Sequence, residues 1–486
     1  MTAVAVIATM ATTSCSKTED LSGGKGNVIT TINASAGGDD QTKVYFTRGS
    51  GNIFHVTWKT SDNITVINDN ANTSAAYVYG GTDNAARGSF TGSLPANSGD
   101  QLFAFYNQYG TVNAADNSIT VDLSNGSTSS SSFWLVYPTM EESTNAINNS
   151  LMYAGATAGA SGTIPFLKFN NANAIVKLTF GSVPDSFYYL TLVCADGGFP
   201  IAGKATAYVE SGETKIKWSD LIYGGYSIHS PLYSPLDFSY SHGNLVIPGT
   251  YGPLYYLISV TALATATSVY YINTSDKVSL VAGKSYGLSK TVSRAAIVNS
   301  GGAIDDNTKN VWINQLPASN STIKTLISGA PASSQITLIQ ANADAATPYG
   351  LDNNSKLVAY INDYSTALQD YMFMNCTNLK YVSLNNVTAL PLNAFAGCAS
   401  LEEIFLPKVT ALFSYVFSAC PALKKITFNS LITDTYNWST TLVFSSTTNP
   451  LQIDLVLKAG QTDLGGGAIS GSTFHGVTFK SITFMN

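Results

Sequence analysis

The chain has 486 residues, of which 45% are hydrophobic and 11% are charged, whereas an average soluble protein has roughly 25% charged residues. The formal net charge is −6 and the sequence contains no basic run, although a nucleic-acid binder needs clustered Lys and Arg. Composition therefore predicts no nucleic-acid partner and no attachment to an anionic membrane surface through basic residues. At about 100–200 residues per domain, the length predicts two to four domains.

The N-terminus contains a short apolar run, Met1–Ala11, which has the length of a signal-peptide core and is too short to cross a bilayer. Small residues then precede Cys15, a pattern that resembles the lipobox of bacterial lipoproteins. The resemblance implies a signal peptide over 1–14, lipidation of Cys15, a tether over 15–40 and attachment to the outer face of the cell outer membrane. Thr12, where Leu is preferred, and the missing basic segment depart from that pattern. An ordinary cysteine behind a loosely packed apolar N-terminus is the alternative.

Short strands with polar turns predict an all-β fold for the next part of the chain. From Lys43 onward, apolar and polar residues alternate in segments such as Ile64–Ile67 and Leu102–Tyr106, and Gly, Asn and Asp clusters separate the segments. No segment before Asp305 carries an apolar stripe with the helical period, so a parallel α/β fold is not predicted.

The first series of strands resembles the fimbrillin-like proteins of Bacteroidetes surfaces. Trp58, Asp62, Ile64 and Val66 match the W-x-x-x-D-x-I-x-V opening of that family. The resemblance implies a transthyretin-like β-sandwich over residues 41–163.

A second series continues the resemblance. It begins at Ile164–Phe169 and ends at Val278–Tyr286, which is similar to the L-x-A-G-K-x-Y strand of the family. A second sandwich is therefore expected over residues 164–296. Polymerising members of the family are cut after an arginine in the first sandwich, and the freed groove accepts a donor strand from another pilin subunit, a form of β-augmentation. Arg48 is the candidate processing residue by this resemblance, and an ordinary loop arginine is the alternative.

The last third of the chain is a repeat. Phe373, Phe395 and Phe417 recur at intervals of 22 residues, each followed by a cysteine and by the L-x-x-L-x-L strand pattern of leucine-rich repeats. One repeat cannot bury its own apolar face, so the coils must stack. The C-x-x-L-x-x-I-x-L-P run at Cys398–Pro407 resembles the BspA-like leucine-rich repeats of bacterial surface proteins. The three phenylalanines are expected to form a single inward-facing column.

A linker is expected over residues 297–308 and the repeat domain over 309–486. Because Cys376, Cys398 and Cys420 share one repeat position, each is predicted to be a small hydrophobic residue of the core rather than a metal ligand or half of a disulfide. The predicted fold is all-β dominated, with two tandem transthyretin-like β-sandwiches followed by a short leucine-rich-repeat solenoid.

Strand alternation also predicts which repeat residues point away from the core. Their charges change sign from one strand to the next, which indicates a cross-strand ladder that fixes register or a polar strip that binds a ligand. The candidate ligand-binding strip consists of Lys380, Tyr381, Ser383, Glu402, Glu403, Phe405, Lys424 and Lys425.

Catalysis is not predicted. The histidines have no metal-site spacing, and no nucleophile elbow, Walker A or dinucleotide motif occurs. No cofactor and no metal are therefore expected. At least half of the rings in three aromatic clusters are expected to lie in the core. The clusters are Phe187–Tyr189, Tyr255–Tyr256 and Tyr270–Tyr271. A surface tyrosine platform for sugars is the alternative for some of these rings.

The sequence thus favours a lipid-anchored surface adhesin or an accessory fimbrial subunit, at the tip or the anchor. Its repeat domain would bind a host or bacterial surface protein or a glycan. A surface glycan-binding lipoprotein of a polysaccharide-uptake system is the alternative.

Overall fold

In the computed structural model, the described residues leave out the extreme N-terminus, including the predicted signal peptide and Cys15. They are 27–35, 47–48, 54–55, 58, 60, 62–83, 85, 87–106, 111–113, 118–122, 151–160, 163–179, 189–223, 226–229, 241–259, 266, 268–274, 276–282, 284–289, 292–297, 311–314, 320–340, 351–435, 443–444 and 450–485.

The chain forms two compact units. The first comprises Met1–Asp122, Ser143–Ala172 and Ala205–Lys217, and the second comprises Leu123–Glu142, Asn173–Lys204 and Trp218–Asn486. Strands dominate the described residues, which confirms the all-β prediction. No helix in the described residues is long and apolar enough to span a membrane.

An eight-stranded sheet with the order β11-β1-β6-β5-β4-β7-β10-β12 forms the body of the first unit. The strands up to residue 171 are β1 (Asn27–Ser35), β2 (Thr47–Arg48), β3 (Phe54–His55), β4 (Asn63–Asn68), β5 (Thr73–Tyr79), β6 (Arg87–Ala96), β7 (Gln101–Tyr106), β8 (Thr111–Asn113), β9 (Ser118–Asp122), β10 (Met152–Thr157), β11 (Leu167–Lys168) and β12 (Asn170–Asn171).

The first strand corrects the predicted tether. β1 pairs antiparallel with β6 and parallel with β11, and its residues Ile29, Ile32 and Ala34 are buried. A register shift between Ile29 and Thr31 accounts for the three-residue interval, and the remaining alternation is that of a strand with one face in the core. The first sandwich therefore begins at Asn27 rather than at residue 41. The sequence did not indicate this strand, because its few apolar residues lie within a segment of Gly- and Ser-rich composition.

The core of the first unit is organised around Trp58. This fully buried ring makes edge contacts with Phe90, Tyr106 and Phe169 at centroid distances of 4.9, 5.6 and 5.7 Å. Edge-to-face geometry suits aromatic quadrupoles. The Tyr106 hydroxyl lies 3.1 Å from Oδ1 of Asp62, so two residues of the W-x-x-x-D motif share one buried network.

The second sandwich contains a five-stranded sheet, β17-β14-β20-β21-β24, and a three-stranded sheet, β18-β13-β23. The strands of residues 174–294 are β13 (Ala174–Thr179), β14 (Tyr189–Cys194), β15 (Pro200–Glu210), β16 (Glu213–Tyr223), β17 (Tyr226–His229), β18 (Ser241–Val246), β19 (Gly249–Tyr251), β20 (Leu254–Ser259), β21 (Val269–Asn273), β22 (Val278–Leu280), β23 (Ser285–Ser289) and β24 (Ser293–Arg294).

The hairpin β15–β16 departs from the predicted domain boundary. Its tip, Ala205–Lys217, belongs to the first unit, where β15 lies beside β9 in a four-stranded sheet. The hydroxyls of Thr120 and Thr206 are 3.0 Å apart. Residues 164–172 also belong to the first unit. Sequence alternation marks the strands but not the sheet that each one joins.

The repeat domain contains a ten-stranded sheet with the order β25-β26-β27-β28-β29-β31-β33-β35-β37-β36, and a three-stranded sheet, β30-β32-β34. Its elements are β25 (Ala296–Ile297), β26 (Val311–Asn314), α1 (Asn320–Gly329), β27 (Ile336–Gln340), β28 (Leu357–Ile361), β29 (Tyr381–Ser383), β30 (Ala389–Leu390), β31 (Glu403–Leu406), β32 (Ala411–Leu412), β33 (Lys425–Phe428), β34 (Asp434–Thr435), β35 (Leu451–Lys458), β36 (Thr473–Phe474) and β37 (Val477–Met485). The sheet begins at β25, which contains the last residue of the predicted second sandwich and the first residue of the predicted linker.

The predicted phenylalanine column is confirmed. Phe373, Phe395 and Phe417 are 0, 0 and 1% exposed, and neighbouring rings stack at 5.2 and 5.9 Å with interplanar angles of 11° and 10°. Phe444 continues the stack at 6.1 Å from Phe417. The column therefore extends beyond the strict 22-residue period.

The repeat cysteines pack as predicted. All three are free thiols, and the Sγ atoms of Cys376, Cys398 and Cys420 lie 3.0, 3.1 and 3.1 Å from backbone carbonyl oxygens of the preceding coils. Burial raises the pKa of Cys376 and Cys420 to about 12. These thiols therefore stay protonated and donate weak hydrogen bonds between coils.

Candidate functional site

The outward face of the repeat sheet has a covered half, formed by the outward residues of β27, β28 and β29. Ile339, Ala359, Ile361 and Tyr381 are all buried there. They form one hydrophobic cluster with five-stranded-sheet residues of the second sandwich. These are Val193, Tyr255, Leu257, Val269 and Tyr271. Strand β20 is buried along its whole length, as a strand with no solvent-facing side must be.

Polar contacts fix the covered half to the sandwich. The hydroxyls of Tyr255 and Thr337 lie 2.8 Å apart, and burial raises the pKa of Tyr255 to about 12.

Gly197 has φ +70°, and a Cβ added there would lie 3.0 Å from Cα of Ser383. Only glycine adopts this left-handed conformation and close approach without strain.

The covered half corrects part of the predicted strip. Tyr381 is 7% exposed and Ser383 is fully buried, where its hydroxyl donates to Oδ1 of Asp363 at 2.5 Å. The Phe405 ring lies 4.5 Å from that of Tyr223 and is half-buried. All three residues point away from the repeat core as predicted, but the sandwich, rather than a ligand, contacts them.

The open half of the same face is formed by Glu403 of β31 and the outward residues of β33, β35 and β37, together with Glu402 and Lys424, which precede β31 and β33. Nζ of Lys424 lies 3.3 Å from Oε2 of Glu402. Glu403, Lys425 and Asp454 are aligned in register on adjacent parallel strands. Opposite charges on neighbouring strands therefore form the predicted ladder.

The ladder continues onto the last strand, which the sequence did not indicate. Asp454 accepts hydrogen bonds from Lys480 Nζ at 2.8 Å and Ser481 Oγ at 2.6 Å. These two donors, in that order, lower the pKa of Asp454. The regular spacing ends after Lys425, and the next partner lies 29 residues on. The alternation of Leu451, Ile453, Leu455 and Leu457 was the signal that could have placed Asp454 outward.

Lys380 and Glu403 lie at the border between the two halves. Nζ of Lys380 is 5.3 Å from the centroid of the Tyr381 ring, within the range of a cation–π contact. Glu403 is exposed and forms a 3.1 Å salt bridge with Lys277 of the second sandwich. Both residues therefore combine a contact within the molecule with partial access to solvent.

Residues 353–455 match the family model described as "BspA type Leucine rich repeat region", in six copies. The segment is similar to that family and is called the BspA-type region below. The predicted resemblance of the repeats is thereby confirmed. The BspA-type region contains the open half except for its last strand and part of β35.

Solved structures similar to this chain carry adhesion and fimbrial names. One named a "putative cell adhesion protein", from Bacteroides uniformis, is 17% identical with a TM-score of 0.34, covering 55% of this chain and 94% of that one. Another of the same name, from Bacteroides ovatus, is 13% identical with a TM-score of 0.33, and the match covers 54% of this chain and 95% of that one. A fimbrial protein from Bacteroides ovatus is 10% identical with a TM-score of 0.24, and the match covers 61% of this chain and 52% of that one. No curated protein matches significantly.

The other candidate positions lie away from the BspA-type region. Arg48 ends β2 and is paired with Phe54 of β3, whereas Cys15 is outside the described residues. The tyrosine pairs Tyr255–Tyr256 and Tyr270–Tyr271 are buried, so they are not the sugar platform that was the alternative for them. No metal-binding group of His, Cys, Asp or Glu occurs among the described residues.

Proposed function

We propose that this protein is a cell-surface adhesin that binds a protein ligand through the open half of its BspA-type region. The observation that carries the proposal is the contrast within one sheet face. On β27 to β29 that face is apolar and covered, whereas from β31 onward it is charged and exposed at Glu403, Lys424 and Lys425.

The charges of the open half suit recognition of another protein. Positive and negative side chains alternate along the sheet, and exposed pairs of this kind contribute little to stability, about 0–1 kcal/mol. Complementary charge patterns instead set specificity and association rate in protein–protein interfaces. A rigid sheet holds these side chains at fixed spacings, which lowers the entropic cost of binding.

The test is a binding assay with the full chain. Purified extracellular-matrix proteins of a host and surface proteins of other bacteria serve as probes. For a protein that binds, Lys424→Glu with Lys425→Glu is expected to weaken affinity about tenfold or more, since like charges would then adjoin Glu402, Glu403 and Asp454. Lys408→Glu, an exposed change in the same repeat array, is the matched control. Equal affinity of both variants and the native chain would refute the proposed surface.

Lipid attachment through Cys15 and location on the outer membrane are parts of this proposal. The motif before Cys15 supports them, and Cys15→Ser tests them. The variant is expected to leave the membrane fraction and to lose the acyl mass from its N-terminal peptide. Continued recovery of Cys15→Ser with membranes would contradict lipid anchoring.

Incorporation into a fimbrium is a second candidate function, favoured by β1. Arg48 follows β1 in the chain, so cleavage there would separate β1 from the rest of the first unit. Ile29, Ile32 and Ala34 are buried, and their departure would open an apolar groove between β6 and β11 for a donor strand.

An arginine-specific endopeptidase tests this second candidate. We expect a new N-terminus at Gly49 and oligomers in gel filtration, with Arg48→Ala remaining intact and monomeric. Cleavage that leaves a monomer with unchanged thermal stability would argue against donor-strand exchange.

A further inference from the structure

A column of two exposed tyrosines and a half-buried asparagine on the repeat turns lies outside the sheet face. Tyr371, Asn393 and Tyr415 occupy the same repeat position, and Tyr371 and Tyr415 are 42 and 36% exposed. Backbone hydrogen bonds link successive coils at this position, from Tyr371 N to Leu392 O at 2.9 Å and from Asn393 N to Ser414 O at 3.1 Å. The two rings therefore project from one edge of the solenoid, two coils apart.

The backbone at these positions disfavours tyrosine. Tyr371, Asn393 and Tyr415 have φ of +64°, +53° and +60°, the left-handed region that is unusual for bulky residues and is tolerated by Asn and Gly. The chain itself uses Asn393 at this position, and the other left-handed column of the repeats holds Asn353, Asn375, Gly397 and Ala419, none of which is bulky. Tyrosine at 371 and 415 carries a conformational cost. Strained residues of this kind cluster at ligand-binding sites, and at 371 and 415 the strained residue also exposes an aromatic ring.

The spacing and chemistry of the column indicate the ligand. Two coil spacings separate the rings by about 10 Å at ~4.8 Å per coil, a distance that an extended oligosaccharide spans and a monosaccharide does not. A tyrosine ring offers an apolar face for the C–H face of a sugar and a hydroxyl for its polar edge. Between the rings, Asn393 supplies amide donors and an acceptor.

We propose that Tyr371, Asn393 and Tyr415 form a binding ridge for a linear β-linked oligosaccharide. Equatorial linkages keep such a chain flat and extended, so that alternate sugars stack on the two rings. This inference rests on the proposed adhesin role and adds a glycan-binding surface to it, separate from the charged open half.

Tyr371→Asn with Tyr415→Asn in the full chain tests the ridge. The probes are cellotetraose, xylotetraose, mannotetraose and chitotetraose, each compared with its monosaccharide by calorimetry. We expect the native chain to bind at least one tetrasaccharide more tightly than its monosaccharide, and the double variant to lose about tenfold or more of that affinity. Because Asn tolerates the left-handed backbone, the melting temperature of the variant should be unchanged or higher.

Two controls separate binding from folding. Tyr364→Asn removes a ring that is 46% exposed and has no left-handed backbone, and should leave affinity unchanged. Tyr371→Phe with Tyr415→Phe keeps both rings and should retain most of the affinity. The proposal is overturned if no tetrasaccharide binds, if binding survives the Asn substitutions, or if those substitutions lower the melting temperature by several degrees. Lys424→Glu with Lys425→Glu should bind the tetrasaccharide normally, so failure of the charged surface and failure of the ridge are distinguishable.

Discussion

The covered and open halves of the repeat sheet share one register but have different environments. Ile361, Ser383, Phe405 and Thr427 are consecutive partners on adjacent strands, and burial decreases along this column from Ile361 and Ser383 to Phe405 and Thr427. The same outward direction therefore leads into a protein core at one end and to a half-buried position at the other. Strand alternation fixes direction, whereas the neighbouring sandwich determines accessibility.

The largest expected difference between the halves comes from a buried charge. Ile361→Asp places a carboxylate in the hydrophobic cluster with Leu257 and Tyr271 and should cost about 3–5 kcal/mol of unfolding free energy. Thr427→Asp, in the same column on the open half, should cost less than about 0.5 kcal/mol. Denaturant unfolding of the full chain measures both. Similar losses for the two variants would mean that the halves do not differ in burial.

A close approach in the covered half predicts an intermediate effect. Gly197→Ala should cost about 1–3 kcal/mol, because the added Cβ meets Cα of Ser383 at 3.0 Å at a left-handed residue. Gly460→Ala also changes a left-handed glycine, but its Cβ would meet nothing within 4 Å. The difference between the calorimetric melting temperatures of the two variants isolates the contact of the added Cβ with Ser383. Gly460→Ala should lower the melting temperature less than Gly197→Ala. An equal shift would show that backbone strain alone accounts for both.

The hydrogen bond between Tyr255 and Thr337 predicts a smaller, pH-dependent effect. Tyr255→Phe should cost about 1 kcal/mol near neutral pH. Burial raises the pKa of Tyr255 from 10.0 to about 12, so the folded state holds this proton more tightly than the unfolded chain. The resulting stabilisation is complete below pH 10 and decreases as pH rises toward 12. The phenylalanine variant should therefore lose less stability over that interval. Parallel stability curves for native chain and variant would contradict this.

The smallest effect is expected in the open half. Lys480→Ala removes an exposed ion pair with Asp454 and should change unfolding free energy by at most about 0.5 kcal/mol. It also removes the main cause of the lowered pKa of Asp454. The pKa of that carboxyl should therefore rise, and NMR titration measures the change. A loss comparable to that of Gly197→Ala would show that the open half is structural rather than available to a ligand.

The repeat domain was more predictable than the sandwiches. Phe373, Phe395 and Phe417 stack as the 22-residue spacing predicts, because each coil buries its apolar face only against a neighbour with the same pattern. In the first unit, by contrast, β1 lies in a segment whose composition resembled a tether. The hairpin tip Ala205–Lys217 joins β9 rather than the second sandwich. Strand partners that are far apart in sequence leave no periodic signal.

The sequence by itself determined the all-β class, the repeat, the inward cysteines and the outward direction of the strip residues, since these follow from local alternation and from the 22-residue period. Tertiary structure decided that Tyr381 and Ser383 are covered, that Asp454 and Lys480 extend the ladder, and that Tyr371 and Tyr415 have a left-handed backbone and exposed rings. The physical reason is that burial and coil-to-coil alignment depend on contacts between segments distant in the chain, whereas side-chain direction depends only on the neighbouring residues of the same strand.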